Sequence, residues 1–269
     1  ARTAEYIHVA KGSCLVYSSI RTFASDLETY KPTLVATVPR IWESLYSKIT
    51  TGLKKKDPKK AKIFNLLVRV SAAYRRNARV LRDQLPVFEE RAWPLRFADK
   101  VQALVANMFL FLPNQLAKKK LVLVQEKFGG RLKGAISGGG RLPPYLDEWI
   151  DAIGIRIINA YGMTECSPGI AGRGFNCDVF GTIGPPVGET ELRIVGDQGE
   201  PVPNGVEGEI QVRGAQVFKG YYKNDEANAG AFTPDGFLRT GDLGRLTLTG
   251  ELVITGRAKE IIVLASGEN

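Results

Sequence analysis

An α/β fold is predicted here: a parallel sheet flanked by helices, interrupted by a helical insertion and followed by a β-rich, barrel-like part. Three observations carry this. Thr33 to Val38 is an almost continuous apolar run, as in strands buried on both faces of a parallel sheet, and Pro39 follows it where a helix would start. Residues 51–130 are basic and periodic at helical spacing. After Gly181 the helical pattern stops, and short apolar stretches alternate with Gly, Pro and Asn-Gly turns.

The elements follow in order. Ser13–Ser18 predicts a short strand, Thr22–Tyr30 a helix, and Thr33–Val38 the buried strand. Beyond Pro39, the residues Ile41, Trp42, Leu45, Tyr46 and Ile49 share one helical face. Lys54 to Lys60 reads as a solvated turn. Ile63, Leu67, Val70, Tyr74, Ala78 and Leu81 form one stripe of a long helix, with Lys62, Arg69, Arg75, Arg76, Arg79 and Arg82 on the opposite face. Pro86 and Pro94 interrupt that pattern, and Pro113 is expected to stop the apolar stretch Val101–Leu112. Leu132–Ser137 and Ile155–Ala160 restore the α/β alternation, with a glycine turn and a Pro143-Pro144 helix between them. Strands are then expected at 191–195, 208–213, 252–255 and 260–264. The implied domains are 1–180 (α/β, insertion at about 51–130), 181–256 (barrel-like) and 257–269, a hinge and the start of a further small domain.

Composition excludes several classes. With 44% hydrophobic and 24% charged residues, the 269-residue chain is globular and not disordered. Three cysteines without a Cys-x-x-Cys pair argue against a disulfide framework or zinc site and for a reducing, cytoplasmic compartment. The polar start Ala1–Glu5 lacks a signal-peptide pattern, and Val101–Leu112 is too short to span a bilayer. The net charge of +9 is uneven: residues 48–133 hold 21 Lys/Arg against 6 Asp/Glu, while the rest is acidic. That segment suits an anionic membrane surface, or is a solvated helix packed on its own domain. Nucleic acid is disfavoured, because no aromatic side chains interleave with the basic ones as stacking platforms.

Four segments carry chemistry together: Asn159-Ala160-Tyr161-Gly162-Met163-Thr164-Glu165; Gly208–Gly214 running on to Gly220-Tyr221-Tyr222; Leu238–Leu243, with Thr240-Gly241-Asp242 inside it; and Gly256-Arg257-Ala258-Lys259-Glu260-Ile261-Ile262. In this order and spacing the sequence resembles the adenylate-forming superfamily over essentially its whole length, and most of all its long-chain fatty-acid–CoA ligases. Val38–Glu43 and the basic insertion after it support that placement.

The resemblance implies ATP-dependent activation of a long-chain fatty acid to acyl-AMP, then thioester formation with coenzyme A. Bottom-up, the residues suit such work. Tyr161 lies at the carboxyl end of a parallel strand, where open α/β sheets bind ligands, and its ring can stack on adenine. Gly138, Gly139 and Gly140 let backbone approach the purine's other face, with Asn159, Ala160 and Gly162 completing the pocket and Arg141 beside it. Thr164 offers a hydroxyl to the α-phosphate. Glu165 offers the single carboxylate that Mg²⁺ needs when phosphates supply its other ligands. By resemblance, Asp242 accepts the ribose hydroxyls, Arg257 contacts ribose and phosphate, Trp42 gates the acyl tunnel, and Lys259 is the hinge. Thr164, Glu165 and Arg257 are then the catalytic set. The sole histidine, His8, is expected to be structural or superficial, since this chemistry rests on positioning and charge neutralisation.

The family's phosphate loop is expected upstream of residue 137 and its catalytic lysine beyond Asn269; neither is in this sequence, which reads as a piece of the enzyme. Gly140-Arg141 stands where Ala-Pro is commoner in the family. Two alternatives stay open: a fatty-acyl–AMP ligase that passes the acyl group to a carrier protein, and a non-catalytic nucleotide- or membrane-binding module on the same fold.

Overall fold

Capping and proline chemistry set the helices of the first half. The computed structural model describes residues 12–257, which divide into two units: one of residues up to 85 with 91–160, the other of 86–90 with 161 onward. In the first unit α1 (Phe23–Tyr30) ends where Lys31 turns left-handed and its N–H bonds the Leu27 carbonyl. Strand β1 (Leu34–Thr37) is followed by α2 (Pro39–Lys56), with Pro39 in its first turn and Lys54, Lys55 and Lys56 in its last, where cations suit the helix dipole. The expected Lys54–Lys60 turn shrinks to Asp57, which caps α3 (Pro58–Leu81) by accepting from the Lys59 and Lys60 N–H groups. Ser13–Ser18 forms no strand.

Helix α4 (Trp93–Lys127) runs through Pro113 instead of stopping there. Ala103, Ala117 and Leu121 are buried on one side of it, and packing along that face outweighs the hydrogen bond proline cannot donate. Its other side leaves Leu104, Met108, Phe109, Leu112 and Leu116 exposed. Strands β2 (Gly134–Ser137) and β3 (Ile157–Gly162) flank α5 (Pro144–Ala152) in sequence. The sheet is parallel: β1 pairs with β2 and β2 with β3, so Thr37, Ser137 and Asn159 reach its carboxyl end in register. Trp42, Phe128, Leu121, Leu146, Ile150 and Ile157 belong to the core of this unit.

Helix α3 corrects the expected faces. Ile63 is exposed, and Ala61, Phe64 and Ser71 are buried instead. The arginine row is not a free surface: Arg75 and Arg79 pair with Asp151, and Arg76 pairs with Glu148, both acids of α5. Ser71 adds a bond from its hydroxyl to the Ala152 carbonyl at 2.7 Å. Arg75, Arg76 and Arg79 thus dock one helix on another within their own unit, while Lys62, Arg69 and Arg82 are exposed. Membrane association therefore loses its structural support, and no helix among the described residues is long and apolar enough to cross a membrane.

The second unit holds β4 (Gly169–Arg173) and an antiparallel sheet of β5 (Glu191–Val195), β6 (Gly208–Arg213), β7 (Leu238–Leu246) and β8 (Leu252–Arg257), in that order. The barrel expectation is corrected: this sheet is open. Residues 182–187 run past it as a strap, exchanging bonds with Leu252 on one side and with Ile170 and Gly172 on the other. Helix α6 (Asp225–Ala231) is capped by the Asn224 side chain. Ile194, Ile210, Val212, Leu238 and Leu252 belong to the core here. Residues 86–90, expected within the helical insertion, belong to this unit, where the Leu248 N–H bonds the Val87 carbonyl and the Arg245 guanidinium lies 3.6 Å from the Phe88 ring centroid. The expected strand at 260–264 lies outside the described residues.

Candidate functional site

In the first unit the glycine turn lies where the parallel strands end. The Gly138 N–H bonds the Thr37 carbonyl, and a side chain added at Gly138 would sit 3.4 Å from the Ala160 carbonyl. Additions at Gly139 and Gly140 would sit 3.7 Å from Val38 and Pro39 respectively. The turn therefore spans the ends of β1 and β3, and Asn159 beside it is buried. Arg141 is exposed. Trp42 is 1% exposed, stacks on Phe128 and has no partner for its indole N–H; it packs as a core residue.

In the second unit three of the expected residues meet. Asp242 lies opposite Arg257 across the β7–β8 ladder, and the Arg257 Nε donates to its Oδ1 at 2.8 Å. The Tyr161 hydroxyl donates to its other oxygen, Oδ2, at 2.6 Å. Thr240-Gly241-Asp242 is a bulge inside strand β7: the register shifts there against β6, and Gly241 takes a φ of +69°. The Thr240 hydroxyl fastens the bulge to the Ile210 carbonyl and accepts from the Asp242 N–H. Burial first, and the bond to Asp242 second, push the Tyr161 hydroxyl well above its ordinary value, so it stays a donor. Asp242 is 6% exposed, whereas the Arg257 side chain is 68% exposed. A carboxylate offers about four acceptor positions, so these two bonds leave capacity for vicinal hydroxyls.

Thr164 and Glu165 lie on a short 3-10 turn, Thr164–Cys166, just past β3. Gly162 ahead of it has no substitute: a side chain there would meet the Pro168 carbonyl oxygen at 1.7 Å. Thr164 is exposed and Glu165 half-buried. The Tyr221 hydroxyl donates to the Glu165 Oε1 at 3.0 Å, and the Phe218 N–H donates to the Glu165 main-chain carbonyl at 2.7 Å. Sequence reasoning placed Tyr221 in a motif without giving it a role. Its neighbour across space lies 56 residues away in the chain, and no local pattern announces such a pair. The buried Cys166 thiol is pushed up to about 11, by burial first and by Glu165 second, which makes it a poor nucleophile at neutral pH.

Glu165 fits a magnesium ion shared with substrate. One carboxylate oxygen is engaged by Tyr221, and the other has no protein partner among the described residues. No cluster of three or more acidic, His or Cys side chains able to hold a metal exists among the described residues. A site of this kind leaves most of the coordination sphere to phosphates and water. Lys259, His8 and all but the first residue of the expected 257–269 segment lie outside the described residues.

Known proteins resemble the chain along most of its length. The sequence profile of the family described as "AMP-binding enzyme" matches residues 1–222. The chain is 36% identical over 285 residues to a probable acyl-activating enzyme 16, chloroplastic, of Arabidopsis thaliana, covering 100% of this chain and 39% of that protein. It is 35% identical to the Arabidopsis thaliana long-chain-fatty-acid–[acyl-carrier-protein] ligase AEE15, chloroplastic, with coverage of 100% and 39%. It is 33% identical to the long-chain-fatty-acid–CoA ligase FadD15 of Mycobacterium bovis, with coverage of 94% and 36%. The chain thus spans roughly two fifths of the length of these relatives. Among solved structures, the long-chain-fatty-acid–CoA ligase FadD1 of Archaeoglobus fulgidus aligns with a TM-score of 0.54 at 20% identity, covering 90% of this chain and 37% of that one, a likeness of fold.

Proposed function

Because the chain belongs to the AMP-binding enzyme family, we propose that the protein activates a long-chain fatty acid with ATP to acyl-AMP and then passes the acyl group to coenzyme A. The observation that carries the reading is the junction at Asp242, where one buried carboxylate holds Tyr161 and Arg257 at once. In this reading Asp242 takes the ribose hydroxyls, Tyr161 and Gly162 serve the adenine, and the exposed Arg257 meets ribose and phosphate, while Asn159, Ala160 and the turn Gly138–Gly140 keep the nucleotide role that the family resemblance gives them. Arg141 is the further candidate for an adenine contact. Thr164 donates to the α-phosphate. Glu165 would hold Mg²⁺, which supplies charge neutralisation at the phosphates. These residues position and neutralise, and a displacement at phosphorus needs little more from a protein. Trp42 as tunnel gate, Lys259 as hinge, the sequence-derived domain boundaries and a cytoplasmic site belong to the same proposal.

A second acceptor has a specific observation in its favour. The relative at 35% identity is named a ligase for acyl-carrier protein, so a carrier thiol competes with coenzyme A as the acceptor. The test is pyrophosphate release by the full-length protein with ATP, Mg²⁺ and palmitate, followed by product analysis with each acceptor. Release without any acyl acceptor, and thioester only with coenzyme A, is the expected outcome. Thioester only with carrier protein selects the second reading, and no fatty-acid-dependent release removes both.

A further inference from the structure

We propose that Tyr221 is a positioning residue, whose hydroxyl fixes the Glu165 carboxylate in the orientation that meets the metal on the nucleotide's phosphates. The inference rests on the reading of Glu165 given above. A glutamate on a three-residue turn has a broad terminal torsion, and left alone its carboxylate would sweep a range of orientations. Magnesium tolerates little angular error. Here one oxygen is pinned by Tyr221 at 3.0 Å, and the backbone beneath it is pinned by the Phe218 N–H at 2.7 Å. The same loop thus grips both ends of the residue and leaves the second carboxylate oxygen for a ligand.

The pin is itself braced. Tyr221 gives its N–H to the Asn228 Oδ1 at 2.7 Å and takes the Asn228 side-chain N–H on its carbonyl at 2.9 Å. Gly220 precedes it with a φ of +133°, and a side chain there would strike the Asn228 amide oxygen at 2.9 Å. The Phe218 ring meets the Tyr221 ring edge-to-face at 4.8 Å. Next along the chain, Tyr222 is 87% exposed and has no such bracing, which makes it the internal control.

The test uses the full-length protein with ATP and Mn²⁺ or Mg²⁺ as probes. In Tyr221→Phe, Mn²⁺ binding in the presence of ATP, read from the loss of the free-ion paramagnetic signal, should weaken by about 3–10-fold, the effect of one ordinary hydrogen bond. The Mg²⁺ concentration for half-maximal pyrophosphate release should rise by the same factor, while ATP binding without metal stays unchanged. Asn228→Ala should give a smaller change in the same direction, and Tyr222→Phe none. Unchanged metal binding in Tyr221→Phe overturns the proposal, as does an equal weakening in metal-free ATP binding. Failure of the underlying reading looks different: Glu165→Gln would then bind Mn²⁺–ATP like the parent. The contact has its own readout, the melting temperature without nucleotide or metal. There Tyr221→Phe and Glu165→Gln should be non-additive, and strict additivity overturns the pinning whatever the metal does.

Discussion

Two aspartates, one in each unit, are gripped by pairs of donors, yet they do different work. Asp151 takes Arg75 and Arg79, both from α3, and the result locks α3 to α5. Asp242 takes Tyr161 and Arg257 from either side of it in the chain, and it stands on a strand bulge. Around Asp151 the arginines are themselves partly buried, with the Arg79 side chain 12% exposed, so the cluster faces inward. Around Asp242 the Arg257 side chain is 68% exposed and able to reach a ligand. A doubly gripped carboxylate reads as structural where both donors are mostly buried, and as open to a ligand where one donor is mostly exposed.

The sharpest way to break this contrast is Trp42, a motif residue that packs as core. Trp42→Ala should destabilise the first unit by about 3–5 kcal/mol, the usual cost of emptying a large buried aromatic site. Denaturant midpoints of the full-length protein measure it. A variant that keeps its stability but changes its chain-length preference would make Trp42 a tunnel residue first and a core residue second.

Asp242→Ala comes next, and its cost should appear in ATP use. Charged hydrogen bonds contribute roughly 1.5–3 kcal/mol each before solvent competition, so KM for ATP should rise by about one to three orders of magnitude. Asp242→Asn should recover part of that. The bond from Tyr161 changes what an ATP analogue lacking both ribose hydroxyls should report. Part of the loss should persist with the analogue, because Asp242 also orients Tyr161. A loss that is equal for ATP and the analogue would reduce Asp242 to the role Asp151 plays.

How much of this was legible in sequence follows from distance along the chain. Strands β5 and β6 lie where the short apolar stretches between turns put them, at 191–195 and 208–213. Asp242 and Arg257 were legible as motif residues, and their pairing follows from being opposite on adjacent strands. Tyr221 with Glu165 was not legible, since only the fold brings residues so far apart together. The long arginine side chains misled in a different way. Spacing alone gave α3 a solvent face, whereas Arg75, Arg76 and Arg79 reach over it to the acids of α5. Pro113 misled because its penalty is local, while the burial of Ala103, Ala117 and Leu121 on α4 is shared along the helix.

Asp151→Asn tests the structural half of the comparison. With the negative charge that Arg75 and Arg79 share removed, stability should fall by about 1–3 kcal/mol, and KM for ATP should not change. The same logic predicts that charge reversal at Arg75, Arg76 and Arg79 lowers stability and leaves co-sedimentation with anionic vesicles unaltered. Vesicle binding that falls while stability holds would restore a surface role to that helix.

The smallest effect is at a third gripped aspartate, wholly on the surface of the second unit. Asp235 takes both ends of the Arg193 guanidinium, at 2.6 and 3.0 Å, and the Thr233 hydroxyl at 2.6 Å. Those bonds, Arg193 first and Thr233 second, lower its carboxyl from an ordinary 3.8 to about 2. A carboxyl held low in the folded state adds stability above its unfolded value, and the gain disappears as pH falls through the folded one. The window is therefore from about 4 down to about 2. Solvent screening keeps the gain small, and Arg193 stays anchored in either case with its guanidinium 3.9 Å from the Phe237 ring centroid. Urea midpoints of the parent and of Asp235→Asn should differ slightly at neutral pH and converge across that window. A gap that stays constant down to the acid end would mean that the asparagine disturbs the Thr233–Phe237 turn itself, and that the charge of Asp235 contributes nothing.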